Sequence, residues 1–202
     1  MLLYDTKTAP TPRRVRIFLA EKGVEVPTKQ IDLQKGENLS PEMRAKNPIG
    51  KIPILELDDG TCISESDAIC TYFEAIHPEP PLMGVNPVEK AIVQQWARQV
   101  EFGLFMQIGM CFQHSTGYFK DRMTPIPEYG EQAGINASKF LKLLDRRLAE
   151  SEFVAGDSFT LPDITTLCAI DFARVVNIRI KEDYKDLQRW YDAVSTRPSA
   201  SA

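Results

Sequence analysis

A proline-dense stretch divides this chain. Between His77 and Pro87 the sequence carries Pro78, Pro80, Pro81 and Pro87 together with Gly84. Proline fixes φ and lacks an amide hydrogen, so regular helices and strands do not run through such a segment. The patterns on its two sides differ. Before it, short apolar runs alternate with helical stripes; after it, every apolar repeat has helical spacing. This predicts a first domain over residues 1–77, a linker over 78–87 and an all-helical domain over 88–202.

In the first part, residues 1–4 read as a strand and 13–22 as a helix with Val15, Phe18 and Leu19 on one face, stopped by Gly23. A second strand lies within 24–33, and 41–46 is a short helix. Residues 52–57 and 61–63 form a hairpin around Asp58-Asp59-Gly60, and 65–76 is a helix with Ala68, Ile69, Tyr72, Phe73 and Ile76 on one stripe. The order is βαβ, a short helix, then ββα. Its crossover gives a parallel pair and its hairpin adds antiparallel strands, hence a mixed sheet flanked by helices. Beyond the linker, Val93, Trp96, Ala97, Val100 and Leu104 keep helical spacing, as do Leu141, Leu144 and Leu148; residues 160–176 and 184–195 read as further helices. The fold class is α/β plus all-α.

Charge and composition exclude several functions. The 202 residues are 43% hydrophobic and 26% charged, with a formal net charge of -4, the balance of an ordinary globular protein. A net acidic chain lacks the basic face that nucleic acid requires, and Arg13, Arg14 and Arg16 form only a local basic patch. No run approaches the ~18 apolar residues of a membrane span, and no secretory signal pattern opens the chain. Cys62, Cys70, Cys111 and Cys168 form neither a CxxC pair nor a metal cluster with His77 and His114; they read as buried or half-buried thiols of a reducing cytoplasm.

Three motifs stand out. In Asn47-Pro48-Ile49-Gly50-Lys51-Ile52-Pro53, a proline opens a strand, where its missing N–H is tolerated. A cis Ile52-Pro53 bond turns the Ile52 backbone outward, ready to pair with an extended peptide; the alternative is a plain loop and strand start. Ser64-Glu65-Ser66-Asp67 is a capping-box pattern with Ser64 as N-cap. The first amides of that helix also attract a carboxylate, and Glu65 beside them can take an ammonium group, a pairing that suits an α-amino acid end. Thr160-Leu161-Pro162-Asp163, with Phe159 and Ile164 as a staple, is a folding signal and not a site.

The element order, the Ile52-Pro53 strand start, the Glu65-Ser66 helix start and the stretch from Phe153 to Asp163 together resemble cytosolic glutathione transferases over nearly the whole chain. The resemblance implies a thioredoxin-like domain, a helical domain and a homodimer. It implies that Ile52 pairs its backbone with the cysteinyl part of glutathione and that Pro53 is a cis proline. It further implies that Glu65 and Ser66 hold the γ-glutamyl end, and that Lys51 attracts the glycyl carboxylate.

The family's catalytic Tyr, Ser or Cys is missing. The loop reads Asp5-Thr6-Lys7-Thr8-Ala9-Pro10-Thr11-Pro12-Arg13, and Ala9 stands at the position matched to the catalytic serine. Tyr4, on the strand, is one residue out of register with the tyrosine position. A free thiol with a pKa of about 8.5 still has to ionise, and a helix N-terminus aimed at the sulfur lowers that value. The hydroxyls of Thr8 and Thr11 can donate to the sulfur, whereas Pro10 and Pro12 have no N–H to give. The sequence is similar to an atypical fungal and bacterial branch that also lacks the usual residue and in which groups of the helical domain act through water. The matching region runs from Cys111 to Gly117, making His114 the candidate to hold a water or accept a proton, with Ser115 and Thr116 as weaker partners.

The expected activity is attack of the glutathione thiolate on a hydrophobic small-molecule electrophile, with glutathione as co-substrate and no metal or redox cofactor. Phe102, Phe105, Met106, Phe112, Tyr118 and Phe119 supply apolar surface for the electrophile, although core packing is the default reading for each. Glutathione-dependent peroxidase, isomerase or dehalogenase chemistry would use the same residues. A non-catalytic glutathione-binding module of the same fold is the rival, favoured by Ala9 and disfavoured by an intact groove.

Overall fold

The computed structural model describes residues 1–202 and divides them into two compact units, Met1–Leu82 with Ser201–Ala202, and Met83–Ala200. In the first unit a four-stranded sheet has the order β2-β1-β3-β4. Strand β1 (Leu2–Asp5) runs parallel to β2 (Thr28–Gln30) and antiparallel to β3 (Ile54–Glu56), which pairs antiparallel with β4 (Cys62–Ser64). Helices α1 (Pro10–Lys22), α2 (Pro41–Lys46) and α3 (Ser66–Ile76) complete the thioredoxin-like βαβαββα order. Alternation along the strands sorts the two faces. Tyr4 and its cross-strand partner Ile54 join Ile31, Met43 and Ile52 in one cluster. Leu3 and its partner Leu55, both fully buried, face the other way.

Helix α1 begins at Pro10, three residues before the predicted start. Pro10 and Pro12 hold helical φ and occupy a first turn where an N–H has no intrahelical acceptor, so they open the helix instead of delaying it. The Ser64 capping box does not form. Ser64 is the last residue of β4, in register with Ile54, and is therefore committed to the sheet. Glu65 takes the N-cap place at φ 74° without a side-chain cap, turning strand directly into helix. Nor do the three arginines form a surface patch. Arg14 is buried, and Arg16 donates to Asp5 at 2.5 Å and to the Lys7 carbonyl at 3.1 Å. The proline-dense stretch is pinned from below: buried Lys22 donates to the carbonyls of Pro78 and Pro80 at 3.3 and 2.6 Å and pairs with Glu74.

The second unit is helical throughout: α4 (Pro87–Val100), a π-turn at Glu101–Phe105, α5 (Met106–Ser115), α6 (Pro127–Leu148), α7 (Leu161–Ala173) and α8 (Lys185–Ser195). No helix is long and apolar enough to cross a membrane. Helix α7 is buried on almost every side, which marks it as the central helix. Close packing elsewhere depends on small residues: a Cβ on Gly103 would stand 2.3 Å from the Phe140 ring, and one on Gly130 2.4 Å from the Ser115 hydroxyl.

The capping box at Thr160 forms and does more than start a helix. Asp163, fully buried, accepts from the amides of Val154 and Thr160 at 2.9 and 3.0 Å, from the Thr160 hydroxyl at 3.2 Å and from the Trp190 indole at 2.8 Å. One carboxylate thus ties α7, the preceding loop and α8 together. Burial pushes its pKa up to about 6 against the pull of those donors. Because the folded value exceeds the unfolded one, the native state binds more protons between pH 4 and 6. This group's contribution is fully present below pH 4 and is lost as pH rises through 6. We expect the stability of the protein relative to an Asp163→Asn variant, measured by urea unfolding, to fall by on the order of 3 kcal/mol from pH 4 to pH 7. Asp163→Ala, which strands the buried donors, should lose about 3–5 kcal/mol at pH 7.

Candidate functional site

Two of the sequence-predicted residues of the first unit, Ile52 and Ser66, meet at a third, Thr11. Its carbonyl accepts from the Ser66 hydroxyl at 2.8 Å, and its own hydroxyl donates to the Ile52 carbonyl at 3.3 Å. Three separate segments are thereby joined: the start of α1, the start of α3 and the loop before β3. The Ile52-Pro53 bond is cis. Lys51 is exposed and makes no ion pair within the protein, so its ammonium is available to an anion. Thr8 lies exposed on the preceding loop, and its hydroxyl has no partner in the chain.

The N-terminus of α1 is chemically unusual. Ala9, the N-cap residue, offers no side chain to it, and the Ala9 amide bonds the Thr6 carbonyl at 3.1 Å. Pro10 and Pro12 have no N–H, and the Arg13 amide is the first to reach an intrahelical carbonyl. Thr11 is therefore the one residue of the first turn whose amide is left to donate outward, and no group of the protein takes it. A single orphan N–H at the positive end of a helix, with a hydroxyl on the same residue, is an anion-stabilising pair. The loop that leads there is fixed by a network the sequence hides. Asp5, buried, accepts from Arg16 and from Gln30 at 2.8 Å; Gln30 in turn accepts the Lys7 amide at 2.9 Å, and the Thr6 hydroxyl donates to the Ile31 carbonyl.

At the start of α3, Glu65 is exposed and holds a left-handed backbone conformation that a non-glycine residue adopts at a cost of about 1–3 kcal/mol. Ser66 is buried and its hydroxyl is spent on Thr11, leaving the first-turn amides of α3 as the groups that can receive a carboxylate.

Tyr4 is not available for chemistry on a ligand. Its hydroxyl donates to Glu56 at 2.6 Å, Lys46 pairs with the same carboxylate at 2.9 Å, and both Lys46 and Lys29 stand over its ring. Burial, then the Glu56 bond, raises the phenol's pKa, the wrong direction for a group that must share a proton near neutral pH. Glu56 is held below the usual carboxylate range, first by Tyr4 and then by Lys46.

His114 belongs to the second unit, at the end of α5. Its Nδ1 accepts the Ile126 amide at 3.0 Å, and its ring meets Tyr129 edge-on at 4.9 Å. A neutral imidazole that accepts at Nδ1 carries its proton on Nε2. In this arrangement His114 is a hydrogen-bond donor through Nε2, and taking a proton at Nδ1 would require giving up the Ile126 bond. The nitrogen left to face a water or an anion is therefore Nε2.

A cavity of about 570 Å³ lies elsewhere in the helical unit, lined by Cys111, Gly134, Ile135, Lys139, Lys142 and Tyr184 among others, and it touches none of the predicted site residues. All four cysteines are free, and no group of three or more His, Cys, Asp or Glu side chains is arranged to hold a metal ion.

Comparison with known proteins gives a consistent picture. Residues 3–81 match the family model of the glutathione S-transferase N-terminal domain, and residues 110–198 that of the C-terminal domain. The chain is 37% identical over 203 aligned positions to glutathione S-transferase 2 of Saccharomyces cerevisiae, covering 98% of this chain and 87% of the yeast protein. The crystal structure of Gtt2 from the same yeast superposes with a TM-score of 0.95 at 37% identity over 98% of both chains. A probable elongation factor 1-gamma 2 of Arabidopsis thaliana is 32% identical over 83% of this chain, which corresponds to 40% of that longer protein.

The strain at Glu65 can be separated from its chemistry. Glu65→Gly removes the left-handed penalty at the expense of chain entropy. Its unfolding free energy should stay within about 1 kcal/mol of the unaltered protein or exceed it, whereas Glu65→Ala keeps the strain. A loss above about 2 kcal/mol for the glycine variant would show that the side chain, not the backbone, sets stability there.

Proposed function

Since the chain belongs to the glutathione S-transferase family, we propose that it is a working transferase whose thiolate is stabilised by Thr11. The observation that carries this reading is the junction at Thr11. The lone outward amide of α1 and an adjacent hydroxyl stand beside the Ile52 backbone and the start of α3. Glutathione is an extended tripeptide with a carboxylate at each end and an ammonium at one. Its γ-glutamyl carboxylate meets the first amides of α3 and its ammonium meets Glu65. Its cysteinyl backbone pairs with Ile52, and its glycyl carboxylate faces Lys51. The sulfur then lies at the N-terminus of α1, where the Thr11 amide and hydroxyl favour the ionised form.

The reaction follows from that ionisation. The thiolate attacks an electrophilic carbon, a sulfur–carbon bond forms, and the leaving group departs with the bonding pair. The protein binds, orients and lowers the thiol pKa. The chemistry calls for no metal or redox cofactor. In this reading the second substrate is a hydrophobic electrophile, the working form is a homodimer and its place is the cytoplasm. His114 contributes as an Nε2 donor. The Thr8 hydroxyl, exposed and unpartnered on the loop before α1, is a further donor for the sulfur.

A second reading is favoured by two observations: Ala9 stands where the family carries a catalytic serine, and relatives named elongation factor 1-gamma match most of the chain. In that reading the unit binds glutathione or a protein without turnover. Calorimetric titration with glutathione, followed by conjugation to 1-chloro-2,4-dinitrobenzene across pH, separates them. The transferase reading expects binding and turnover above the uncatalysed rate. Thr11→Val should lower kcat at pH 6.5 by about 10–100-fold, with the KM for glutathione within about threefold, and move the pH–rate profile to higher pH. Binding without turnover over a panel of electrophiles and hydroperoxides would favour the second reading.

A further inference from the structure

Two buried asparagines hold the backbone on which the groove is built. Asn47, 3% exposed, donates from Nδ2 to the Lys51 carbonyl at 2.8 Å, while its Oδ1 accepts the Ile49 amide at 3.3 Å. Asn38, 7% exposed, donates from Nδ2 to the Gly50 carbonyl at 2.8 Å. Gly50 sits at φ 62° against the short 3-10 turn Glu37–Leu39, where a Cβ would come within 3.0 Å of the Leu39 side chain and 3.3 Å of the Asn38 carbonyl. Gly50, in the middle of the loop from Asn47 to Pro53, therefore rests on Asn38 and Leu39.

These bonds set more than the loop's position. The carbonyl of Lys51 and the amide of Ile52 belong to one planar peptide unit and, in the trans form, point in opposite directions. Asn47 draws that carbonyl inward and so aims the Ile52 N–H the other way. This N–H has no acceptor anywhere in the chain. The preceding unit is oriented likewise: Asn38 holds the Gly50 carbonyl and thereby fixes the plane carrying the Lys51 amide. The Thr11 hydroxyl, on the Ile52 carbonyl, fixes the plane on the far side. Asn38 also keeps its Oδ1 buried without a donor, a penalty that an apolar residue of similar size would avoid. Such a residue is retained for what its other end holds.

We propose that Asn47, backed by Asn38, is a positioning residue for the groove. It touches no ligand, and it determines glutathione affinity by aiming the Ile52 amide and the Lys51 segment at the tripeptide. The inference rests on the glutathione reading above and extends it to two residues outside the expected contact set.

The test uses the full chain with glutathione as ligand, measuring Kd by calorimetry, KM and kcat by conjugation, and melting temperature. Asn47→Ser keeps an acceptor for the Ile49 amide but cannot reach the Lys51 carbonyl, which spares the turn. Asn38→Ala removes the second clamp. Phe73→Leu, in the last turn of α3, is a control that loosens the core of the same unit. We expect Asn47→Ser and Asn38→Ala to raise Kd and KM for glutathione about tenfold or more, with kcat within about threefold. The control should lower the melting temperature without moving KM. An unchanged KM in both asparagine variants, with the unaltered protein binding normally, overturns the inference and leaves the transferase reading standing. If the unaltered protein fails to bind glutathione, both are overturned.

Discussion

The hydrogen bonds at Thr11 are the constraint on which the rest of the site depends. One residue accepts from Ser66 and donates to Ile52, so the first helix, the third helix and the loop before the third strand are set by a single point. The acceptor bond is the firmer of the two: Ser66 is buried, and its hydroxyl has no water to turn to. The donor bond is long at 3.3 Å and lies where a ligand would arrive. A hydroxyl in that state can leave the Ile52 carbonyl for a better acceptor, and a thiolate is a better acceptor than a neutral carbonyl because the hydrogen bond becomes charge-assisted.

This gives physical meaning to the missing catalytic side chain. With Ala9 at the helix cap and prolines at Pro10 and Pro12, the start of α1 has been stripped of competing donors. A capping serine or aspartate would occupy the first-turn amide itself. Here nothing does, and the field of the helix is concentrated on one N–H. The loop must then be held by other means. The Asp5, Arg16 and Gln30 network supplies that rigidity, built from side chains whose roles the local sequence does not disclose.

What the sequence disclosed and what it hid divide along the range of the interactions. Features set within a few residues were legible: the stripes of α1, α4 and α6, the hairpin at Gly60, the proline segment and the Thr160 box, whereas the stripe expected on α3 holds only for Ile69 and Phe73, with Ala68 and Ile76 exposed and Cys70 buried. The cis Ile52-Pro53 bond and the gathering of Ile52, Pro53 and Ser66 were legible through resemblance. The misreadings came where a distant partner overrides a local pattern. Ser64 looks like a cap until β4 pairs with β3. Arg14 and Arg16 look like surface charge until one is buried and the other meets Asp5 across the α1 turn. Tyr4, already out of register with the family's tyrosine, has its hydroxyl taken by Glu56, 52 residues away. Asn38 carries no signal, and Asn47 opens a motif legible only for its proline; the direction of two carbonyls is what makes both matter.

The site also carries its own costs, and their placement is informative. Glu65 holds a left-handed backbone without being glycine, and Asn38 buries an acceptor without a donor. Either position could be relieved by a simple substitution, glycine at the first or an apolar residue at the second. Folding alone would favour those changes. The surroundings of Asp163 show the opposite economy: both carboxylate oxygens are paired, with four donors between them. The strain at Glu65 and the orphan acceptor of Asn38 thus stand at the start of α3 and beside Gly50, where the direction of the backbone decides which groups face outward.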